Sequence, residues 1–105
     1  MITEIISKQE FLNELNTDKP VVVDLYATWC GPCKLQAPIL HEFAEEMGDR
    51  VKVLKVDVDQ AQEIAFDYQI MSIPTILVFK NSTLVEKSVG LTTKAGISDL
   101  VIKHL

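Results

Sequence analysis

The apolar residues of this chain follow two kinds of pattern. Short runs of apolar residues, many of them β-branched, predict strands, and apolar residues three or four positions apart predict amphipathic helices. In chain order these patterns predict the elements β-α-β-α-β-α-β-β-α. The strand patterns cover residues 2–6, 21–26, 51–58, 76–79 and 84–89, and the helical patterns cover residues 11–15, 34–47, 61–68 and 97–105.

Polar residues beside these patterns predict where helices begin. Ser7 is followed three residues later by Glu10, which is the spacing of a capping box. Asp59 is predicted to cap the third helix, and Thr92 or Thr93 the fourth. The four phenylalanines and one stripe of the last helix are expected to face the core. They are Phe11, Phe43, Phe66 and Phe79, and Ile97, Leu100, Val101 and Leu105.

The order of the elements predicts an α/β fold. Strands that alternate with helices become parallel neighbours through right-handed crossovers, whereas the last two strands, joined by the turn at 81–83, form an antiparallel hairpin. We therefore expect a mixed, five-stranded central sheet flanked by four helices. A length of 105 residues predicts a single domain over residues 1–105.

Composition narrows the function classes. Hydrophobic residues make up 48% of the chain and the net charge is −5, with the basic residues scattered, so a basic nucleic-acid-binding face is not expected. No apolar run reaches the roughly 18 residues of a membrane span, and residues 1–4 show no start of a signal peptide. A cytoplasmic, reducing location is therefore predicted, and there a lone cysteine pair is more often catalytic than structural.

Both cysteines lie in the segment Trp29-Cys30-Gly31-Pro32-Cys33, where a strand pattern gives way to a helical one. A helix N-terminus has free N–H groups and a partial positive charge, so it stabilises a thiolate and lowers the pKa of the thiol. Two cysteines three positions apart can also close to a disulfide. The segment predicts a site that cycles between dithiol and disulfide, the alternative being a pair of ordinary buried cysteines. No metal is expected, because the two histidines are distant from each other and from the pair.

Several landmarks together resemble the thioredoxin family. They are the segment from Ala27 to Pro38 around the cysteines, Asp24 before it, Lys55-Val56-Asp57, Ile73-Pro74-Thr75 and Val89-Gly90. The resemblance implies the thioredoxin fold and a monomeric protein-disulfide reductase that acts on disulfides of client proteins. It also implies re-reduction by thioredoxin reductase with NADPH. The NADPH and FAD belong to that partner, and no cofactor is expected in this chain.

The mechanism that follows assigns different roles to the two cysteines. Cys30 is the expected nucleophile and forms a mixed disulfide with the client, which Cys33 then resolves. Cys33 is expected to be the more buried of the two. Gly31 and Pro32 separate them, and in this family a proline at this position favours reduction. Pro32 also suits the first turn of a helix.

Asp24 and Lys55 are expected to assist the second cysteine. A carboxylate inside a buried strand should have a raised pKa, and it can then accept the Cys33 proton through a water. The alternative is an acid at a strand edge that reaches solvent. Lys55, on the neighbouring strand, is expected to modulate Asp24, the alternative being an ordinary solvated lysine.

The resemblance also implies a binding groove. A cis peptide is expected at Pro74, which would expose the backbone of Ile73 to an extended client. Trp29, Ile73 and Gly90 would rim an apolar groove around Cys30, although core packing is an alternative for Trp29. The chain departs from the family at Leu25, Tyr26, Gln69 and Ser82, which bear on client preference and turn stability.

Two other functions remain open at this stage. The same chemistry could serve an oxidant or isomerase, although Pro32 argues against it. The groove could also serve a binding subunit that uses no redox turnover.

Overall fold

The computed structural model describes all residues, 1–105. The strands are β1 (Ile2–Ile5), β2 (Val21–Tyr26), β3 (Lys52–Asp57), β4 (Thr75–Lys80) and β5 (Thr83–Val89). The helices are α1 (Lys8–Leu15), α2 (Gly31–Met47), α3 (Gln62–Asp67) and α4 (Lys94–Ile102), with a short 3-10 turn at Gly48–Arg50. The predicted order of elements is confirmed. None of the helices is long and apolar enough to span a membrane.

The five strands form one mixed sheet in the order β1-β3-β2-β4-β5. β1 and β2 both pair with β3 in parallel, whereas β4 pairs antiparallel with β2 and β5 pairs antiparallel with β4. Strand β2 therefore lies at the centre, and its first five residues are buried. This burial explains why β2 is an almost continuous apolar run instead of an alternating one.

Each face of the sheet carries its own hydrophobic cluster, because successive residues of a strand point to opposite faces. On one face, Val21, Val23 and Leu25 of β2 pack with residues of α1 and α3, including Phe11 and Ile64. On the other face, residues of α2 and α4 pack over Val22, Ile76 and Val78. Asp24 alternates with Val23 and therefore belongs to the α2/α4 face.

Two of the predicted helix caps are confirmed and one is wrong. The side chains of Ser7 and Thr93 accept hydrogen bonds from the backbone N–H groups of Glu10 and Gly96. Helix α3 instead follows Ala61, with no side-chain cap. Asp59 lies too early in the chain to cap it.

Two apolar residues expected in the core lie at the surface. The side chain of Phe66 is 82% exposed, because the short helix α3 packs against the sheet through Ile64 and through Ala61, which precedes it. Phe66 projects away from this contact. Leu105 follows the end of α4 and is 52% exposed, while Ile97 and Val101 are buried as predicted.

The chain adopts left-handed backbone conformations at two of the positions that depart from the family. Gln69, after α3, has φ 53°, and Asn81 and Ser82 of the β4–β5 turn have φ 53° and 64°. Two successive positive φ values suit the twist of a two-residue hairpin. The Ser82 hydroxyl also donates a hydrogen bond to the carbonyl of Leu15, at 3.1 Å, which ties the turn to the end of α1.

Candidate active site

The two cysteines lie at the start of α2, a few residues after the end of β2. Cys30 is the N-cap residue of α2, and Gly31 and Pro32 form its first turn, where a missing proline N–H costs little. The Cys30 and Cys33 sulfurs form a disulfide, with their Cα atoms 5.3 Å apart. The backbone N–H of Cys33 points at Cys30 Sγ, at 3.2 Å. The helix therefore presents a free amide to the first sulfur.

The burial of the two cysteines differs from the expectation. Cys33 was expected to be the more buried, but both residues are 5% exposed. In the disulfide form, Cys30 is covered by the segment before β4, since its sulfur lies 3.8 Å from the carbonyl oxygen of Ile73. The pair packs with Ala27 in a small cluster that Tyr26, Val58 and Ile73 complete.

Two segments of the expected groove are joined to each other, and one of them contacts the disulfide. The Ile73–Pro74 peptide is cis, and the N–H of Gly90 donates a hydrogen bond to the Pro74 carbonyl at 2.8 Å. The backbone of Ile73 is thereby held next to Cys30. Gly90 has φ 96°, a backbone conformation that glycine adopts more readily than other residues.

Trp29 lies at the surface and not in the core. Its side chain is 69% exposed, and its indole N–H donates a hydrogen bond to Asp59 Oδ2 at 2.8 Å. The core-packing alternative for Trp29 is therefore wrong. The same contact explains Asp59, whose carboxylate fixes the indole ring beside the cysteines and does not cap α3.

Asp24 is a buried carboxyl group without a partner. The residue is 1% exposed, and neither carboxylate oxygen has a hydrogen-bond partner in the protein. Burial raises the pKa of Asp24 to about 6, and the nearby Lys55 ammonium only partly opposes this rise. The alternative of an acid that reaches solvent at a strand edge is therefore wrong.

Lys55 lies beside Asp24 but does not bond to it. The two residues are register partners in the β2–β3 pair. The Lys55 ammonium lies 4.4 Å from the centre of the Tyr26 ring, a cation–π geometry. Tyr26, Lys55 and Cys33 also line a common cavity of about 230 Å³. The Lys55 side chain and the second cysteine therefore face the same cavity.

One buried polar residue near the site was missed. Gln36 is completely buried in α2, where its amide group donates to the Thr92 carbonyl at 3.0 Å and accepts from the Thr92 N–H at 2.9 Å. These bonds tie α2 to the loop that contains Gly90. The signal was present, because Gln36 lies three residues after Cys33 and four before Leu40, on the buried stripe of α2.

Neither histidine belongs to the site. His41 is exposed on α2, and His104 Nε2 lies 2.7 Å from Glu86 Oε2 at the end of the chain. No group of three or more histidine, cysteine, aspartate or glutamate side chains could hold a metal ion.

Comparison with known proteins agrees with this geometry. The family model for thioredoxin matches residues 2–103. The chain is 53% identical to the thioredoxin of Bacillus subtilis over 85 residues, 81% of this chain and 82% of that one. It is also 43% identical over 94 residues to the bifunctional thioredoxin reductase/thioredoxin of Mycobacterium leprae, covering 90% of this chain but 20% of that one.

A solved structure shows the same fold. The thioredoxin of Malassezia sympodialis superimposes with a TM-score of 0.90 and 35% sequence identity, covering 98% of this chain and 92% of that one. The mixed sheet with four flanking helices is therefore the thioredoxin fold. Because the family model spans nearly the whole chain and the cysteine pair closes to a disulfide at the start of α2, this protein belongs to the thioredoxin family of thiol–disulfide oxidoreductases.

Proposed function

We propose that the protein reduces disulfides of client proteins with Cys30 as the nucleophile and Cys33 as the resolving thiol. The Cys30 thiolate attacks one client sulfur, and the other client sulfur leaves as a thiolate and takes up a proton. Cys33 then attacks Cys30 Sγ, which releases the second client thiol and closes the Cys30–Cys33 disulfide. Two electrons pass from this protein to the client, whose two sulfurs take up two protons, while Cys33 gives up one proton and the Cys30 proton has already been lost to solvent. The observation that carries the assignment is the Cys33 N–H aimed at Cys30 Sγ, at the N-terminus of α2.

Asp24 is the proposed acceptor of the Cys33 proton. Its pKa of about 6 is close enough to neutral pH for a carboxylate that must take up a proton and release it again. The absence of a protein hydrogen-bond partner leaves its oxygens free to bond to a water. Lys55, its register partner, modulates the charge of Asp24.

The proposed client site is the surface around Cys30. An extended client segment pairs with the backbone of Ile73 by strand addition, and the exposed ring of Trp29 and the backbone at Gly90 border it. The 3.8 Å separation between Ile73 O and Cys30 Sγ supports this arrangement, because it places the pairing backbone beside the reacting sulfur.

The proposed electron donor is thioredoxin reductase, which uses FAD and NADPH. The Mycobacterium leprae relative, whose name combines the two activities, supports this partner. The protein itself binds no cofactor in this proposal. It acts as a monomer and as a single domain in the cytoplasm.

Reduction of insulin disulfides tests the proposal. The wild-type protein should accelerate reduction by dithiothreitol, and Cys30→Ser should lose this acceleration. Cys33→Ser should accumulate mixed disulfides with clients on Cys30, whereas Cys30→Ser should accumulate few. Equal trapping by both variants would overturn the assignment of the two cysteines, and no acceleration by the wild type would overturn the reductase function in favour of a binding subunit.

A further inference from the structure

Three charged residues lie side by side on neighbouring strands of the α2/α4 face. Lys55 of β3 is the register partner of Glu4 on β1 and of Asp24 on β2. Register partners in a parallel pair lie on the same face of the sheet. The Lys55 ammonium thus has a carboxylate neighbour on each side, one exposed and one buried.

Tyr26 contacts two of these three charged residues, Glu4 and Lys55. It follows Asp24 by two residues and therefore projects from the same face. Its hydroxyl donates a hydrogen bond to Glu4 Oε2 at 2.7 Å, and its ring carries the Lys55 ammonium at 4.4 Å from the ring centre. Asp24, in contrast, receives no hydrogen bond from Lys55 or from any other group.

The cavity described above connects this arrangement with the second cysteine. Tyr26, Lys55 and Cys33 all line this cavity, and its volume of about 230 Å³ is sufficient for several waters. A change in the position of the Lys55 ammonium would therefore change the electrostatic potential both at the Asp24 carboxylate and in the cavity beside Cys33.

We propose that Glu4 and Tyr26 are positioning residues for the resolving step, which hold the Lys55 ammonium on the Tyr26 ring and away from a direct ion pair with Asp24. The inference rests on the proposed role of Asp24 as proton acceptor for Cys33. A direct ion pair would stabilise the ionised carboxylate and make it a weaker base. With the ammonium on the ring, Asp24 remains able to take up the Cys33 proton.

The other groups around Asp24 do not provide this control. Asp57, the register partner of Tyr26, is buried and accepts a hydrogen bond from the N–H of Asp59. On β4, the residue opposite Asp24 is the apolar Ile76. From α2, Cys33 and Lys34 border the cavity. Lys55 is therefore the cation that lies on the sheet directly beside Asp24, and Glu4 with Tyr26 sets its position.

The test is the titration of the Asp24 carboxyl group in the reduced protein, followed by carbon NMR. In the double variant Glu4→Gln/Tyr26→Leu the ammonium has only Asp24 as a partner, so the titration midpoint should fall by about half a pH unit or more. The acid limb of the pH profile for client release from the mixed disulfide should move by the same amount. Glu4→Gln alone keeps a hydrogen-bond acceptor for Tyr26 and should shift the midpoint less, in the same direction.

Adding Lys55→Met distinguishes positioning from simple packing. With Lys55 absent, the same double substitution removes only the direct charge effect of Glu4, which raises the pKa of Asp24, and it should shift the Asp24 midpoint much less because the larger effect passes through the ammonium. An equal shift with and without Lys55, or no shift in either background, would overturn the inference. Glu45→Gln, which removes one negative charge on the exposed side of α2, is the matched control and should leave the midpoint unchanged.

Failure of the inference can be separated from failure of the proposed function. If insulin is reduced and Cys33→Ser still traps clients while the midpoint does not move, the positioning role is wrong and the reductase function stands. If the midpoint moves as expected but insulin is not reduced, the positioning of Lys55 stands as a feature of the Asp24 site and the reductase function is wrong.

Discussion

The two faces of the sheet differ in what they bury. On the α1/α3 face no carboxyl group is buried, and the hydroxyl of the one buried polar residue, Thr75, donates a hydrogen bond to the Ser72 carbonyl at 2.6 Å. Three aromatic rings, those of Phe11, Tyr68 and Phe79, pack edge to face there with their centres 5.4–5.8 Å apart. On the α2/α4 face, Asp24 follows the hydrophobic residue Val22 along β2, and its carboxyl group is buried without a hydrogen bond. The cysteine helix α2 covers this second face.

The difference separates stability from chemistry. Aromatic and aliphatic burial contributes to the free energy of unfolding at any pH, whereas a buried, unpaired carboxylate lowers it once the group ionises. The α1/α3 face therefore compensates for a destabilising group that the α2/α4 face keeps beside its cysteines. A core substitution on the α1/α3 face should consequently lower stability and leave redox activity intact, whereas removal of the Asp24 charge should raise stability at neutral pH and lower redox activity.

The largest expected effect is on the α1/α3 face. Phe11→Ala removes a fully buried ring that contacts two other rings, and it should lower the free energy of unfolding by about 4 kcal/mol. Urea unfolding measures this loss. The fraction that remains folded should reduce insulin at the wild-type rate. A large loss of activity per folded molecule would show that the two faces are not separable in this way.

The next effect is on the α2/α4 face and has the opposite sign. The pKa of Asp24 is about 6 in the folded protein and about 4 in an unfolded chain. Between these values the folded state binds a proton that the unfolded state has lost, so stability is fully present below about pH 4 and falls as pH rises through 6. Relative to Asp24→Asn, the wild type should therefore lose about 2 kcal/mol between pH 4 and pH 7.

Chemical unfolding of both proteins across this pH range measures the difference, and client release should be slower in Asp24→Asn. Parallel stability curves for the two proteins would mean that Asp24 ionises normally. Faster or unchanged client release would mean that it does not accept the Cys33 proton.

The smallest expected effect concerns an unfavourable backbone conformation next to α3, on the α1/α3 face. Gln69 follows α3 with φ 53°, a conformation that costs a residue with a Cβ about 1 kcal/mol. Gln69→Gly should raise the free energy of unfolding by up to this amount and leave insulin reduction unchanged. Thermal unfolding is the measurement, and Gln60→Gly, at an exposed position outside the helices and strands, is the control for the added flexibility of glycine. Destabilisation beyond that of the control would show that the Gln69 side chain itself stabilises this turn.

Local patterns were sufficient for the elements and for the cysteine pair. The consecutive apolar residues of β2 and the spacing of apolar residues in α2 reflect which faces of each element are buried. Such a pattern can be recognised within one segment, without knowing which residues pack against it. The position of Cys30 at a strand–helix junction follows from those two patterns. Residues such as Phe66 and Asp59 were misassigned because their environment depends on partners elsewhere in the chain: the sheet already covered by Ile64, and the indole of Trp29.

The register between strands was not accessible from the sequence. The placement of Glu4 beside Lys55, and of Lys55 beside Asp24, requires two parallel pairings to be known residue by residue. The equal burial of the two cysteines depends on the disulfide and on the covering carbonyl of Ile73, and neither is visible in a spacing pattern.

Limited alkylation of the reduced protein tests the central claim most directly, namely that Cys30 is the ionised, attacking sulfur. Iodoacetamide is added at neutral pH in less than stoichiometric amount, and tandem mass spectrometry assigns the label within the peptide that contains both cysteines. The account predicts that Cys30 is labelled about tenfold or more in excess of Cys33, because the N-terminus of α2 stabilises its thiolate. Slow and equal labelling of both thiols, with rates that rise only above the pKa of a free cysteine, would contradict it.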